Sequence, residues 1–163
     1  MTILANLVIG QDGSTTLNGS STGLSSKVDR ERFHKLRIGV DVILIGGNTA
    51  RNEPYESTPL PLIVISRSNE IAEISQNPDH VIINLEPLAA VEQAKARFEN
   101  IIFEGGPNLL LTILEKIDEL YITISKQTGD GQVVSFDGLI RDFVMEEKNE
   151  IDGEIFYYFK RLK

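Results

Sequence analysis

VILIGGNTARNEP, Val42 to Pro54, is the stretch on which the reading of the fold turns. Val40 to Ile45 is an apolar, β-branched run bounded by Gly39 and Gly46, the signature of a strand buried on both faces. Gly46-Gly47 closes it, and polar residues follow up to Glu53-Pro54, so the stretch alone reads as strand, then turn.

A second stretch repeats the design. FEGGPN, Phe103 to Asn108, also runs from an apolar strand into a glycine pair and then polar residues. In an open parallel sheet ligands bind outside the carboxyl ends of the strands, so two glycine pairs there would line one crevice. Glycine lets a ligand approach the backbone, and the helix begun by Pro107 offers free N–H groups and a positive dipole end to an anion such as a pyrophosphate. Each pair alone is an ordinary tight turn. Neither matches G-x-G-x-x-G, and neither carries the Lys-Ser/Thr of a phosphate-binding P-loop. The crevice reading rests on the two together.

The flanking segments support an α/β domain. Ile3 to Ile9 reads as a first buried strand ending at Gly10 and Asp12-Gly13, and Ser14 to Ser26 as a long polar loop. Ser26 with Asp29 resembles a capping box for a helix to about Arg37, with Val28, Phe33 and Leu36 on its apolar face. Strands follow at Leu60 to Ser66 and Val81 to Asn84, a helix at Leu88 to Phe98 and a strand at Asn100 to Glu104. Leu110, Ile113, Leu114 and Ile117 give the helix after Pro107 a buried stripe. Leu120 to Ile124 alternates as a strand, and Val144 to Lys148 with Glu154 to Lys160 forms a hairpin around Asn149 to Gly153. Arg67 to Asp79 and Gln127 to Arg141 read as exposed connections. The order implies one domain over residues 1–163, with a mostly parallel sheet, helices on both faces and antiparallel strands at the end.

Composition excludes several function classes. The 163 residues carry a formal charge of -8, which repels nucleic-acid backbones and anionic membranes. Absence of cysteine rules out disulfides and Cys-based zinc sites and fits a reducing, cytoplasmic setting. The N-terminus reads as a strand and not a signal peptide, and no apolar run approaches the roughly 18 residues of a membrane span. His34 and His80 lack acidic partners at metal-ligand spacing, so no metal site is expected. Near the crevice, Glu53 and Glu104 are each either solvated or functional. Thr49 either caps a turn or bonds a cofactor, and Arg37 either complements a helix dipole or holds a phosphate.

Taken in order, QDG (Gln11 to Gly13), GLSSKVDRERFHKLR (Gly23 to Arg37), DVILIGGNTARNEP (Asp41 to Pro54), EGGPNLL (Glu104 to Leu110) and IDELYITI (Ile117 to Ile124) resemble the pyrimidine reductases of riboflavin biosynthesis, which share the dihydrofolate reductase-like fold. The resemblance implies an NADPH-dependent oxidoreductase that reduces the ribosyl group of a 5-amino-6-(phosphoribosylamino)uracil-like pyrimidine to ribityl. By the same resemblance Ile9, Gly46, Thr49, Glu53, Gly105, Gly106, Pro107, Asn108, Leu109 and Leu110 would contact the cofactor. Ser21, Arg37 and Glu104 would face the substrate, and Glu53, or a water it holds, would supply the proton. The chain is expected to lack the zinc deaminase domain fused to many bacterial relatives, and to form a homodimer. It departs from the family pattern in Gly23, where an aromatic is usual, and in Tyr55 to Pro61, which contains no arginine. A dihydrofolate or pteridine reductase of the same fold and a non-catalytic nucleotide-binding dimerisation domain are the alternatives.

Overall fold

A computed structural model describes residues 1–53, 55, 58–67 and 80–163. Most of the expected connection Arg67 to Asp79, together with Pro54, lies outside the described residues. Eight strands form one sheet: β1 Thr2–Ile9, β2 Val42–Gly46, β3 Leu62–Ile65, β4 His80–Ile83, β5 Asn100–Phe103, β6 Glu119–Ile124, β7 Phe143–Ile151 and β8 Glu154–Arg161. The helices are α1 Lys27–Leu36, α2 Gly47–Asn52, α3 Pro87–Lys95, α4 Pro107–Ile113 and α5 Phe136–Ile140. Strand order is β4-β3-β2-β5-β1-β6-β8-β7, with every pair from β4 to β6 parallel and both pairs involving β8 antiparallel. This is the α/β architecture read from the sequence.

Period-two alternation sorts the strand side chains onto two faces. Val42, Leu44, Ile101, Phe103 and the β1 residues Ile3, Ala5, Leu7 and Ile9 pack under α3, α4 and α5. Ile43, Ile45, Leu62, Val64 and Ile102 pack on the other face with Ala50 of α2 and Leu36 of α1. A strand covered on both faces has no polar side, which is why VILI is unbroken.

Four expectations change. Gly46-Gly47 is the start of α2, with Gly46 as its N-cap, and not a turn into a loop. The loop Ser14 to Ser26 contains a 3-10 turn at Ser21–Gly23. The span Gln127 to Arg141 is not all exposed, because it holds α5, whose Leu139 is fully buried in the core. Helix α1 buries Asp29 and leaves Phe33 only partly covered, so of its expected apolar stripe Val28, Phe33 and Leu36 only Leu36 packs on a core cluster.

Two local expectations are met in outline. Ser26 caps α1, its Oγ accepting from the Asp29 N–H at 3.0 Å. The closing hairpin turns more tightly than Asn149 to Gly153, on Asp152 (φ 52°) and Gly153 (φ 80°) alone, the two positive dihedrals of a primed turn. Gly153→Ala should therefore cost about 1 kcal/mol in chemical denaturation, since only the glycine occupies that region freely.

Candidate active site

A cleft of about 320 Å³ lies against α1 and the carboxyl ends of β2 and β5. Because β2 and β5 are neighbours, with Leu44 paired to Phe103, the two glycine pairs stand side by side. A Cβ on Gly105 would meet the Phe103 ring at 2.5 Å and the Gly46 nitrogen at 3.2 Å, whereas one on Gly106 would find Thr49 Oγ1 as its nearest atom, at 3.7 Å. Gly105 thus closes the packing between strand ends, and Gly106 leaves open space on the cleft side. Both α2 and α4 begin at these glycines without a side-chain cap. Their first-turn N–H groups are the free donors expected at a helix start.

The opposite wall is α1. Arg30, Phe33, His34 and Arg37 follow the i, i+3, i+4, i+7 pattern of one helix face and all line the cleft. Arg37 crosses to Glu104, its Nε donating to Oε1 at 2.8 Å and its Nη2 to Oε2 at 2.6 Å. Tyr55 donates its hydroxyl to the same Oε2 at 2.8 Å. The Glu104 side chain is 1% exposed and that of Arg37 17%, so the pair is largely removed from water. The Arg37 guanidinium also lies 4.4 Å from the Phe33 ring centroid, a cation–π contact.

Electrostatics follows from this packing. Burial works against the Arg37 charge, but the hydrogen bonds and negative charge of Glu104 outweigh it and hold Arg37 above its ordinary value. Burial, then the charge of Glu104 and the bond to it, pushes the Tyr55 phenol well up. A phenol whose folded value is raised contributes stability below about pH 10 and loses it as pH rises further, because the unfolded chain ionises first. Comparing unfolding of the native chain with Tyr55→Phe across that range should show a shallower alkaline loss in the variant.

Glu53 is placed in the cleft but bonded otherwise than a proton source would suggest. Its Oε1 accepts from the Ser21 N–H at 2.8 Å and the Ser21 hydroxyl at 3.0 Å, and its Oε2 accepts from Ser20 Oγ at 3.0 Å. The carboxylate fastens the 3-10 turn to the end of α2. Ser21, expected to face the substrate, lines the cleft while its hydroxyl is turned to Glu53. The far side of the same loop is laced to the segment after β6, with Asp130 accepting from the Asn18 N–H at 3.1 Å and Thr15 Oγ1 donating to the Gln132 carbonyl at 2.9 Å.

Of the cofactor residues expected from the sequence, Thr49, Glu53, Gly105, Gly106 and Pro107 line the cleft, as do the substrate residues Ser21, Arg37 and Glu104. Ile9, Gly46, Asn108, Leu109 and Leu110 are not in its lining. Ile9 and Leu110 are core side chains, and the Leu110 N–H already bonds the Gly106 carbonyl at 3.1 Å. The Asn108 side-chain oxygen accepts from Gln132 Nε2 at 2.6 Å, and Leu109 lies over Gly46.

Among the cleft residues that sequence reading did not assign to the site are Asp29 and Tyr55. Asp29 is buried and accepts from Ser25 Oγ at 2.5 Å; its i, i+4 and i+8 relation to Phe33 and Arg37 was a usable signal. Tyr55 had no local signal, since its role depends on a contact across 49 residues of chain. Among the described residues no cluster of three or more His, Cys, Asp or Glu is placed to hold a metal ion, and no helix is long and apolar enough to cross a membrane.

Comparison with known proteins agrees with this fold. A pyrimidine reductase-like protein from Corynebacterium diphtheriae superposes with a TM-score of 0.74 at 20% identity, over 99% of this chain and 92% of that one. A diaminohydroxyphosphoribosylaminopyrimidine deaminase/5-amino-6-(5-phosphoribosylamino)uracil reductase from Thermotoga maritima gives 0.76 at 14% identity, over 99% of this chain and 56% of that one. Dihydrofolate reductase from Enterococcus faecalis, complexed with NADP(H) and RAB-propyl, gives 0.73 at 14% identity, over 99% and 97% of the two chains. No curated protein sequence matches. These structural likenesses establish the dihydrofolate reductase-like fold. The RibD C-terminal domain profile matches residues 1–142, and on that match the chain belongs to the RibD C-terminal domain family, the reductase family its motifs resemble.

Proposed function

We propose that the cleft binds NADPH and reduces the ribosyl group of a ribosylaminopyrimidine to a ribityl chain. The observation that carries this reading is the pairing of two glycine strand ends, distant in sequence, at one edge of a cleft whose other wall is charged and aromatic. The residues fit a dinucleotide: Gly106 leaves space that a side chain would fill, Thr49 offers a hydroxyl beside it, and uncapped helix starts offer N–H groups to anionic oxygens.

When bound, the nicotinamide supplies the hydride. The protein's part is orientation and exclusion of water. Arg37 and Tyr55 fix the Glu104 carboxylate from two sides, so that its remaining acceptor capacity meets a substrate hydroxyl in one orientation. Glu53, already accepting three bonds, shapes the loop over the cleft, and it acts on the proton only through a water at its free edge. A homodimer, as the family resemblance implies, belongs to the same proposal.

A pteridine reductase of the same fold is the second reading, and Asp29 favours it. A buried carboxylate in the cleft suits the paired N–H donors of an aminopyrimidine edge, which pterins also carry.

The test is an NADPH titration followed by turnover. NADPH at about 100 times its dissociation constant should raise stability by roughly 2.7 kcal/mol, read as a thermal shift. Loss of its absorbance with a ribosylaminopyrimidine and not with dihydrofolate supports the first reading. The reverse preference selects the second. Binding without consumption of either leaves a non-catalytic nucleotide-binding domain, and absence of binding overturns the oxidoreductase reading.

A further inference from the structure

We infer that His34, together with the spare Nη1 of Arg37, receives the phosphate of a sugar-phosphate substrate. The inference rests on the pyrimidine reductase reading above and deepens it, placing the substrate's phosphate on the α1 wall, opposite the glycine pairs. It starts from the cationic groups of the cleft. Among the described lining residues these are Arg30, His34 and Arg37, all on one face of α1 and its C-cap. Tyr55 to Pro61 adds no basic residue, and none of the residues outside the described ones is basic. The carboxylates of the cleft already have donors. Glu104 accepts from Arg37 and Tyr55, Glu53 accepts three bonds from Ser20 and Ser21, and Asp29 accepts from Ser25 Oγ. Arg30 and His34, by contrast, form no ion pair among the described residues.

Phe33 brings two of these groups together. The His34 ring meets the Phe33 ring edge-on, with centroids 5.7 Å apart, and the Arg37 guanidinium lies 4.4 Å from the same centroid. Imidazole and guanidinium are thus neighbours one helical turn apart, at i and i+3. The His34 imidazole makes no hydrogen bond among the described residues. Arg37 uses Nε and Nη2 on Glu104, and Nη1 is left over from its five N–H donors. Arg30 is turned the other way: its Nη1 donates to the Ser25 carbonyl at 3.0 Å, back toward the start of α1. A phosphate monoester is a dianion, held by several charge-assisted donors. Glu104 balances the charge of Arg37, so Arg37 contributes direction, and the net positive charge beside it comes from His34. A bound phosphate favours the imidazolium, in which both ring nitrogens are donors.

The experiment titrates the full chain, saturated with NADP⁺, with a ribosylaminopyrimidine 5'-phosphate and with its unphosphorylated riboside, by calorimetry. The phosphate ester should bind the native chain at least about tenfold tighter, a difference of about 1.4 kcal/mol. In His34→Leu that advantage should fall by about tenfold, because the ester loses a charged partner that the riboside never used, and the ester's salt dependence should become shallower. His34→Lys restores a cation at the same helical position and should keep the advantage; both replacements are good helix formers. Equal losses for the two ligands in His34→Leu, or no loss for either, overturn the inference. So does a native chain that binds the riboside as tightly as the ester, or that binds neither. A changed ratio of NADP⁺ to NAD⁺ affinity in His34→Leu, with the ester's advantage intact, gives the imidazole to the cofactor's phosphate and also overturns it. Failure of the reductase reading is seen separately, as no consumption of NADPH with either pyrimidine. Ribose 5-phosphate against ribose, on the chain without cofactor, then decides about the phosphate. Weaker ribose 5-phosphate binding in His34→Leu supports the assignment, and unchanged binding or none overturns it.

Discussion

Arg37→Ala is expected to lower the stability of the fold by about 3–5 kcal/mol, measured by urea denaturation, because it strands a buried carboxylate. Glu104 is 1% exposed, so without Arg37 it keeps the Tyr55 hydroxyl but loses its counter-charge. The cost is asymmetric. Arg37 is 17% exposed and reaches the cleft, so Glu104→Gln leaves a cation that water can still solvate and should cost less. The double variant Arg37→Ala/Glu104→Gln should recover at least about 1 kcal/mol relative to Arg37→Ala alone, since the stranded charge is gone. Purely additive losses would mean that the two side chains are not coupled as the hydrogen bonds indicate.

Gly105→Ala should cost about 1–3 kcal/mol through overpacking. The added Cβ would lie 2.5 Å from Phe103 Cζ, a ring with no exposed surface, and 3.2 Å from the Gly46 nitrogen, so neither neighbour gives way easily. Gly106→Ala, one residue on, meets nothing closer than 3.7 Å and should stay within about 0.5 kcal/mol of the native stability. Its effect belongs to the NADPH titration, because the space it fills is the cleft's. Equal losses of stability in the two variants would remove the distinction between a packing glycine and a lining one.

Comparison of the two stretches shows where sequence reading was adequate. LIGG and FEGG each signalled a buried strand ending in glycine, and both strands are present, adjacent and in the expected orientation. The roles within each pair were not legible. Gly46 and Gly105 serve the contact between neighbouring strand ends and with Leu109, and only the three-dimensional approach of those atoms separates them from Gly106. Similarly, Asn108 and Leu110 follow the glycine pair in a phosphate-binding order, yet one side chain is taken by Gln132 and the other by the core. Short-range patterns name the element a residue belongs to, but not which way its side chain points.

The helix α5 illustrates a different failure. FDGLI is only five residues long and contains a glycine, so it lacks the periodicity that marks longer helices. It forms because Ser135 caps it, accepting from the Gly138 N–H at 3.1 Å, and because Leu139 is buried against the sheet. Both signals were too local or too distant for a periodic reading.

By itself the sequence determined the order of the strands and of the helices α1, α3 and α4, the parallel class of the sheet, the cap at Ser26 and the location of a crevice at two glycine-ended strands. These depend on hydrophobic period, on glycine and proline, and on capping side chains, all of which act over a few residues. Tertiary structure decided the chemistry of the site: that Arg37 and Glu104 spend their charges on each other, that Tyr55 joins them, and that Glu53 holds a loop. Those contacts join residues 32, 67 and 49 positions apart, and a carboxylate's role is set by which donors reach it once the chain has folded.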